Sequence, residues 1–184
     1  MKRQNLFCTP VWTTMLDDYE NLNKELLAVA GKYRMGENYF GIPETQKLAD
    51  QVVPIVRKVA DECGYTQPFT ISGRQNPMAV GQNNTPHHHP DCMFAVVYYV
   101  KVPEKSGDIL LHDPRGSILW QDPEARTDVN WQSYRPYHKI TPVPGMLLIF
   151  PGYVVHSVEH NLSDDVRISI AISIFIIYRK HIIF

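Results

Sequence analysis

The sequence predicts a mainly β domain of two facing sheets with flanking α-helices. Three features point there. Beyond residue 68 the chain breaks into strand-length segments rich in Val, Ile, Phe and Tyr, divided by turn pairs such as Ser106-Gly107, Pro144-Gly145 and Pro151-Gly152. Ahead of them, two stretches carry apolar residues at helical spacing. At 184 residues, 44% hydrophobic and 20% charged, the chain has the length and composition of one domain over 1–184 with a sizeable core.

Leu6 to Thr13 is short and β-rich, and Pro10, which has no N–H for a ladder, marks it as an edge strand. From Asp17 to Ala30 the period changes. Leu22, Leu26, Leu27 and Ala30 form a helical stripe, Asp17 and Asp18 sit near the positive end of the dipole, and Gly31 closes the segment. Lys32 to Ile42, with Gly36, Asn38 and Gly41, is a loop. Pro43-Glu44 opens a second helix with apolar positions Leu48, Val52, Val53, Ile55, Val56 and Val59, stopping near Gly64. Pro54 inside it predicts a kink or a break. Helical support thus spans about 14–64.

The expected strands are Phe69 to Arg74, Met78 to His87, Phe94 to Val102, Asp108 to His112, His138 to Thr141, Met146 to Phe150, Tyr153 to Glu159 and Val166 to Tyr178. Arg115 to Tyr137 is polar, with Trp120, Trp131 and Tyr134, and is expected to form a long loop or lid. The last strand is the most informative. Its alternation puts Ile168, Ile170, Ile172, Ile174 and Ile176 on one face, to pack against the two helices or a subunit. Arg167, Ser169, Ala171, Ser173 and Phe175 share the other, which suits the lining of a cavity.

His87 and His89 lie one residue apart in Thr85-Pro86-His87-His88-His89-Pro90-Asp91. Alternate strand residues point to one side, so this segment offers two metal ligands, and His156, after Phe150-Pro151-Gly152, offers a third. Arg167 opens the polar face of the last strand, where a buried guanidinium needs an anionic or hydrogen-bonding partner. The combination reads as a metal site with an anion-binding arginine beside it.

Each residue also has a plainer reading. An isolated His-x-His is more often a solvated loop, and His156 alone a hydrogen-bonded core histidine, with His160 on the same face as a competing ligand. Arg167 has the alternative of an ion pair with Asp164 or Asp165. Of Tyr98 and Tyr99, one belongs to the core. Gln75, Asn83 and Asn84 contact substrate or satisfy backbone groups, His112-Asp113-Pro114 is a strand end and turn, and Cys92 is a small buried hydrophobe or a thiol close to the metal.

Eighteen Lys and Arg against nineteen Asp and Glu give a net charge of -1 without a basic block, so there is no nucleic-acid signal. The amino terminus has no secretory pattern, and no export is expected. Cys8, Cys63 and Cys92 are widely spaced with no Cys-x-x-Cys pair, which predicts neither a disulfide framework nor a zinc ribbon and fits a reducing cytoplasm. Ile168 to Ile177 is too short for a membrane span of ~20 residues. Ile182, Ile183 and Phe184, in the terminal segment from Ile176, suggest a subunit contact and hence a homo-oligomer.

Taken together, these segments resemble the iron(II)- and 2-oxoglutarate-dependent oxygenases, most closely the small members found in phages and marine bacteria. Leu6-Phe7-Cys8-Thr9-Pro10-Val11-Trp12 resembles the family's opening strand and Leu22-Asn23-Lys24-Glu25-Leu26 its next helix. His87-His88-His89-Pro90 running into Val96-Val97-Tyr98-Tyr99-Val100 resembles the first metal-binding segment. Pro144-Gly145-Met146-Leu147-Leu148-Ile149-Phe150-Pro151, His156, Val158 and Arg167-Ile168-Ser169 resemble the carboxy-terminal signature.

The resemblance implies a double-stranded β-helix, the cupin-like jelly roll, over about 68–178. It implies Fe(II) at the open end, 2-oxoglutarate and O2 as co-substrates, and hydroxylation of a C–H bond in a small molecule or a protein residue, releasing succinate and CO2. Carried over residue by residue, His87 is the first ligand, His89 stands where a carboxylate usually stands, and His156 is the distal ligand. Arg167, with Ser169 and the Tyr99 hydroxyl, takes the remote carboxylate of 2-oxoglutarate. A phage-encoded chain of this kind works in the host cytoplasm.

The third histidine departs from the common pattern. His89-Pro90-Asp91 would restore a His-x-Asp pair with Asp91 as ligand. Alignment with the family favours His87 and His89, and Pro90 suits a strand poorly, whereas charge favours a carboxylate on hard Fe(II). Asp91 has the further option of fixing a histidine tautomer. Two rival readings stay open: a three-histidine cupin-type dioxygenase or isomerase without 2-oxoglutarate, and a non-catalytic jelly-roll binding module.

Overall fold

The computed structural model describes residues 7–31, 39–115 and 136–177. Its elements run β1 (Trp12–Met15), α1 (Tyr19–Ala28), α2 (Pro43–Glu62), β2 (Phe69–Met78), β3 (Asn84–His87), β4 (Phe94–Lys101), β5 (Ile109–His112), β6 (Tyr137–Ile140), β7 (Met146–Pro151), β8 (His156–Val158) and β9 (Arg167–Ile176). A five-stranded sheet has the order β1-β7-β4-β9-β2 and a four-stranded sheet the order β3-β8-β5-β6. Every pairing is antiparallel. This is the jelly roll, mostly β with two helices.

Two apolar clusters explain the layering. In the first, Leu22, Leu26, Leu48, Val52 and Val56 of the helices meet Val96, Tyr98, Leu147, Ile170, Ile172 and Ile174 of the larger sheet. The isoleucine face of β9 therefore packs on the helices, as its alternation predicts. In the second, Tyr99, Leu148 and Phe150 of the larger sheet join Ile109, Leu111 and Val158 of the smaller one. Adjacent tyrosines thus serve opposite faces. Tyr98 is fully buried and its hydroxyl donates to Asn23 Oδ1 at 2.7 Å, tying β4 to α1. Tyr98→Phe should lower stability by about 1–3 kcal/mol, the penalty for stranding a buried acceptor, read as a shift in the denaturant midpoint.

Several expectations shift at the boundaries. β1 begins after Pro10 instead of including it, although it does lie at a sheet edge. Helix α2 runs through Pro54 without a break. Pro54 is exposed, so the carbonyl it leaves unbonded one turn earlier is open to water. The run Met78 to His87 is not one strand, because residues 79–82 turn over against buried Asn161, whose side-chain amide bonds the Met78 and Asp165 carbonyls. Residues 116–135 of the expected lid, 32–38 of the first loop and 178–184 of the terminal segment lie outside the described residues. Among the described residues, no helix is long and apolar enough to cross a membrane.

Candidate metal centre

Strands β3 and β8 pair with His87 directly opposite His156. His89 follows the end of β3, where its N–H donates to the Gly152 carbonyl at 3.0 Å. These contacts converge three imidazoles: one ligand atom of each of His87, His89 and His156 lies within 4.8 Å of the others. Ring centroids are 4.3 Å apart for His87 and His156, and 5.2 Å for His89 and His156.

The tautomers are set by the main chain. Nδ1 of His87 lies 2.8 Å from the Thr85 carbonyl and Nδ1 of His156 lies 3.0 Å from the Val154 carbonyl. A carbonyl can only accept, so both Nδ1 atoms carry the proton and both Nε2 atoms present a lone pair. Burial pulls His156 down to about 4, against the Val154 carbonyl, which favours protonation, with repulsion from His87, His89 and His112 adding to the fall. Burial also lowers His89, followed by repulsion from His87, Arg74 and His88. Neutral imidazole is the ligand form.

Asp91 is not part of this cluster. It is exposed on a left-handed turn, φ 59°, so the His89-Pro90-Asp91 frame is not realised as a pair of ligands. The carbonyls holding His87 and His156 already set the tautomers of those two rings. His160 is exposed and outside the cluster. His112 bonds the Ser157 hydroxyl at 2.9 Å, one position off the inward-facing Leu111 and His156. The half-buried Cys92 donates its thiol to the Phe94 carbonyl and contributes no ligand atom.

Gly152 is the tightest point of the support. A Cβ there would stand 2.1 Å from the Cys92 carbonyl oxygen. The obstacle is backbone, so Gly152→Ala should destabilise the protein by about 1–3 kcal/mol, the range for overpacking. Because the same residue holds His89, metal affinity should fall as well, measurable by titration of the folded variant.

Arg167 is 1% exposed. Its Nη1 donates to the Gly107 carbonyl at 2.8 Å, and its guanidinium lies 5.1 Å from the centre of the Tyr99 ring. Its Nε, the Tyr99 hydroxyl and the Ser106 hydroxyl are buried and, among the described residues, none completes a hydrogen bond of good geometry, although Tyr99 and Asp108 lie close enough to favour the charged guanidinium. Among the described residues no carboxylate pairs with it, and Asp165, one of the two candidates, is engaged by Lys101 at 2.7 Å. Burial depresses the guanidinium from its ordinary value, yet arginine does not give up its charge in a protein. A buried cation with free donors around it fits an anionic ligand.

One cavity joins the two features, lined by all three histidines, Tyr99, Arg167 and Ser169. It also takes in Arg74, Asn76 and Asn84. Asn84 was a candidate contact, whereas Gln75 points elsewhere and accepts from the Gly31 N–H. Asn76 lies beyond the expected strand Phe69 to Arg74, and Arg74, at its end, was not singled out as a site residue. The alternation Arg74, Asn76, Met78 places them on the face of β2 beside Ala171, Ser169 and Arg167. The donor set suits the expected ligands: imidazole nitrogens are good ligands for iron, and the idle Nε and hydroxyls suit a carboxylate.

The jelly roll thus brings a histidine cluster and a buried arginine to one cavity. Residues 75–173 match the family described as "Putative 2OG-Fe(II) oxygenase", and the chain belongs to that family. Fe(II) is accordingly its metal and 2-oxoglutarate its co-substrate. Among solved structures, a prolyl-4-hydroxylase from Pseudomonas putida is similar at 12% identity and TM-score 0.66, covering 93% of this chain and 89% of that one. HygX from Streptomyces hygroscopicus, solved with nickel and 2-oxoglutarate bound, is similar at 10% identity and TM-score 0.67, covering 92% and 84%. A 2OG-Fe(II) oxygenase-family oxidoreductase from Burkholderia pseudomallei matches at 16% identity and TM-score 0.54, over 73% of this chain and 59% of that one. At such identities the likeness is one of fold. A search of curated proteins gives no match.

Proposed function

We propose that His87, His89 and His156 hold Fe(II) through their free nitrogens and that Arg167, with Ser169 and Tyr99, binds the remote carboxylate of 2-oxoglutarate. The protein then hydroxylates a C–H bond of a small molecule or a protein residue, releasing succinate and CO2. The observation that carries this reading is the buried, carboxylate-free Arg167 opening into the same cavity as the three histidines.

When bound, the iron supplies activation of O2 coupled to decarboxylation of 2-oxoglutarate. The chain supplies placement. Arg167 is anchored at one Nη by the Gly107 carbonyl, which leaves its Nε free to donate to an anion. The Tyr99 hydroxyl, kept protonated by burial, is a second donor beside it. Phe150 packs edge-on against His156 with ring centroids 4.8 Å apart and keeps water from that side. Three neutral imidazoles offset none of the metal charge, so a dianionic co-substrate compensates both the cation and Arg167 at once.

The three-histidine reading without 2-oxoglutarate gives Arg167 no anion. Anaerobic addition of 2-oxoglutarate to the Fe(II) protein, purified without a histidine tag, should develop a metal-to-ligand absorption band, and admission of air should release succinate. Metal binding with neither signal would favour that alternative, and no metal binding at all would favour a non-catalytic module.

A further inference from the structure

The cavity holds a second guanidinium besides the one assigned to the co-substrate. Arg74 lines it from β2, in register with Ala171, while Arg167 is in register with Met78 on the same strand. At ~3.3 Å per residue their attachment points are about 13 Å apart along the sheet. Their surroundings also differ: Arg167 is fully buried and Arg74 is exposed at the mouth. Among the described residues Arg74 makes no ion pair or hydrogen bond. Among the described residues, no Asp or Glu lines the cavity.

This arrangement has a charge consequence. With three histidines in place of the usual carboxylate-containing set, a divalent ion and two arginines bring a formal charge of about +4, and the 2-oxoglutarate dianion offsets about half. The remainder sits at the mouth, beside the amides of Asn76 and Asn84, which can donate to an oxyanion. Arginine presents a planar fork that matches carboxylate and phosphate oxygens. Resting on the function proposed above, we infer that the substrate carries an anionic group, a carboxylate or a phosphate, which Arg74 binds with help from Asn76 and Asn84 while the carbon to be oxidised faces the histidine cluster.

The test uses protein loaded with Mn(II) and 2-oxoglutarate, with acetate, methyl phosphate and neutral acetamide as probes. Paramagnetic broadening of each probe's NMR signals reports its residence near the metal even when binding is weak. Saturable broadening of acetate, of methyl phosphate or of both is expected, with the preferred probe naming the carboxylate or the phosphate, and none for acetamide. Arg74→Gln should weaken it by at least about tenfold, the scale of a hydrogen bond to a charged group, and Arg74→Lys, which keeps the charge without the planar fork, should lose less than Arg74→Gln. Unchanged broadening in Arg74→Gln, equal broadening by acetamide or none by either anion would overturn the inference. So would a loss of 2-oxoglutarate affinity in Arg74→Gln, which calorimetry would show and which would assign Arg74 to the co-substrate. Failure of the wild-type protein to take up 2-oxoglutarate would be a different result, sinking the proposed function and this inference with it.

Discussion

His156→Ala should abolish specific metal binding. The residue is the most buried of the three imidazoles and sits opposite His87 in the β3–β8 ladder, so nothing mobile can take its place. Residues that merely support a ligand alter affinity by about 10–100-fold, and loss of a ligand should exceed that. Calorimetric titration of Fe(II) or Mn(II) under anaerobic conditions measures it. The control is thermal melting of the metal-free proteins. The Val154 carbonyl loses its imidazole partner, so His156→Ala should melt somewhat lower, yet with a cooperative transition that shows an intact fold.

Arg167→Met should separate co-substrate binding from metal binding. Removing one partner of a buried, hydrogen-bonded charge pair costs about 2–5 kcal/mol, so the 2-oxoglutarate concentration needed for half-saturation should rise by at least about thirtyfold. Metal affinity should hardly move, because Arg167 contributes no atom to the histidine cluster. The sign of the stability change is equally diagnostic. Without 2-oxoglutarate the wild-type guanidinium is buried with an idle Nε and no carboxylate, so an apolar side chain of similar length should leave the free protein at least as stable. A structural arginine would instead give a variant that melts much lower and loses metal and co-substrate together.

Much of this site was legible because it rests on period-two patterns. The alternation of β9 separates isoleucines from Arg167 and Ser169 whatever the loops do, and its two faces meet the helices and the cavity as that alternation requires. His87 and His156 fall on strands, and the structure pairs those strands with the two residues opposite each other. The choice between His87 and Asp91 was not open to pattern alone. It depends on the left-handed turn at Asp91 and on the Gly152 carbonyl that holds His89, both set by contacts distant in sequence.

Arg74 and Asn76 were hidden for a different reason. Gly73 and Pro77 look like breakers, but β2 is an edge strand, bonded only to β9, where a missing N–H can face outward. Pro54 likewise does not break helix α2, which carries it on its exposed side. In each case tertiary placement decided how severe a local preference could be.

In the proposed function, one cavity brings three imidazoles to a metal and an arginine to the remote carboxylate of the co-substrate. A crystal structure of the protein soaked anaerobically with Mn(II) and 2-oxoglutarate tests it most directly. The expected result is metal bound by His87, His89 and His156, with a carboxylate of 2-oxoglutarate on Arg167. Metal held by Asp91, or 2-oxoglutarate lying away from Arg167, would contradict it.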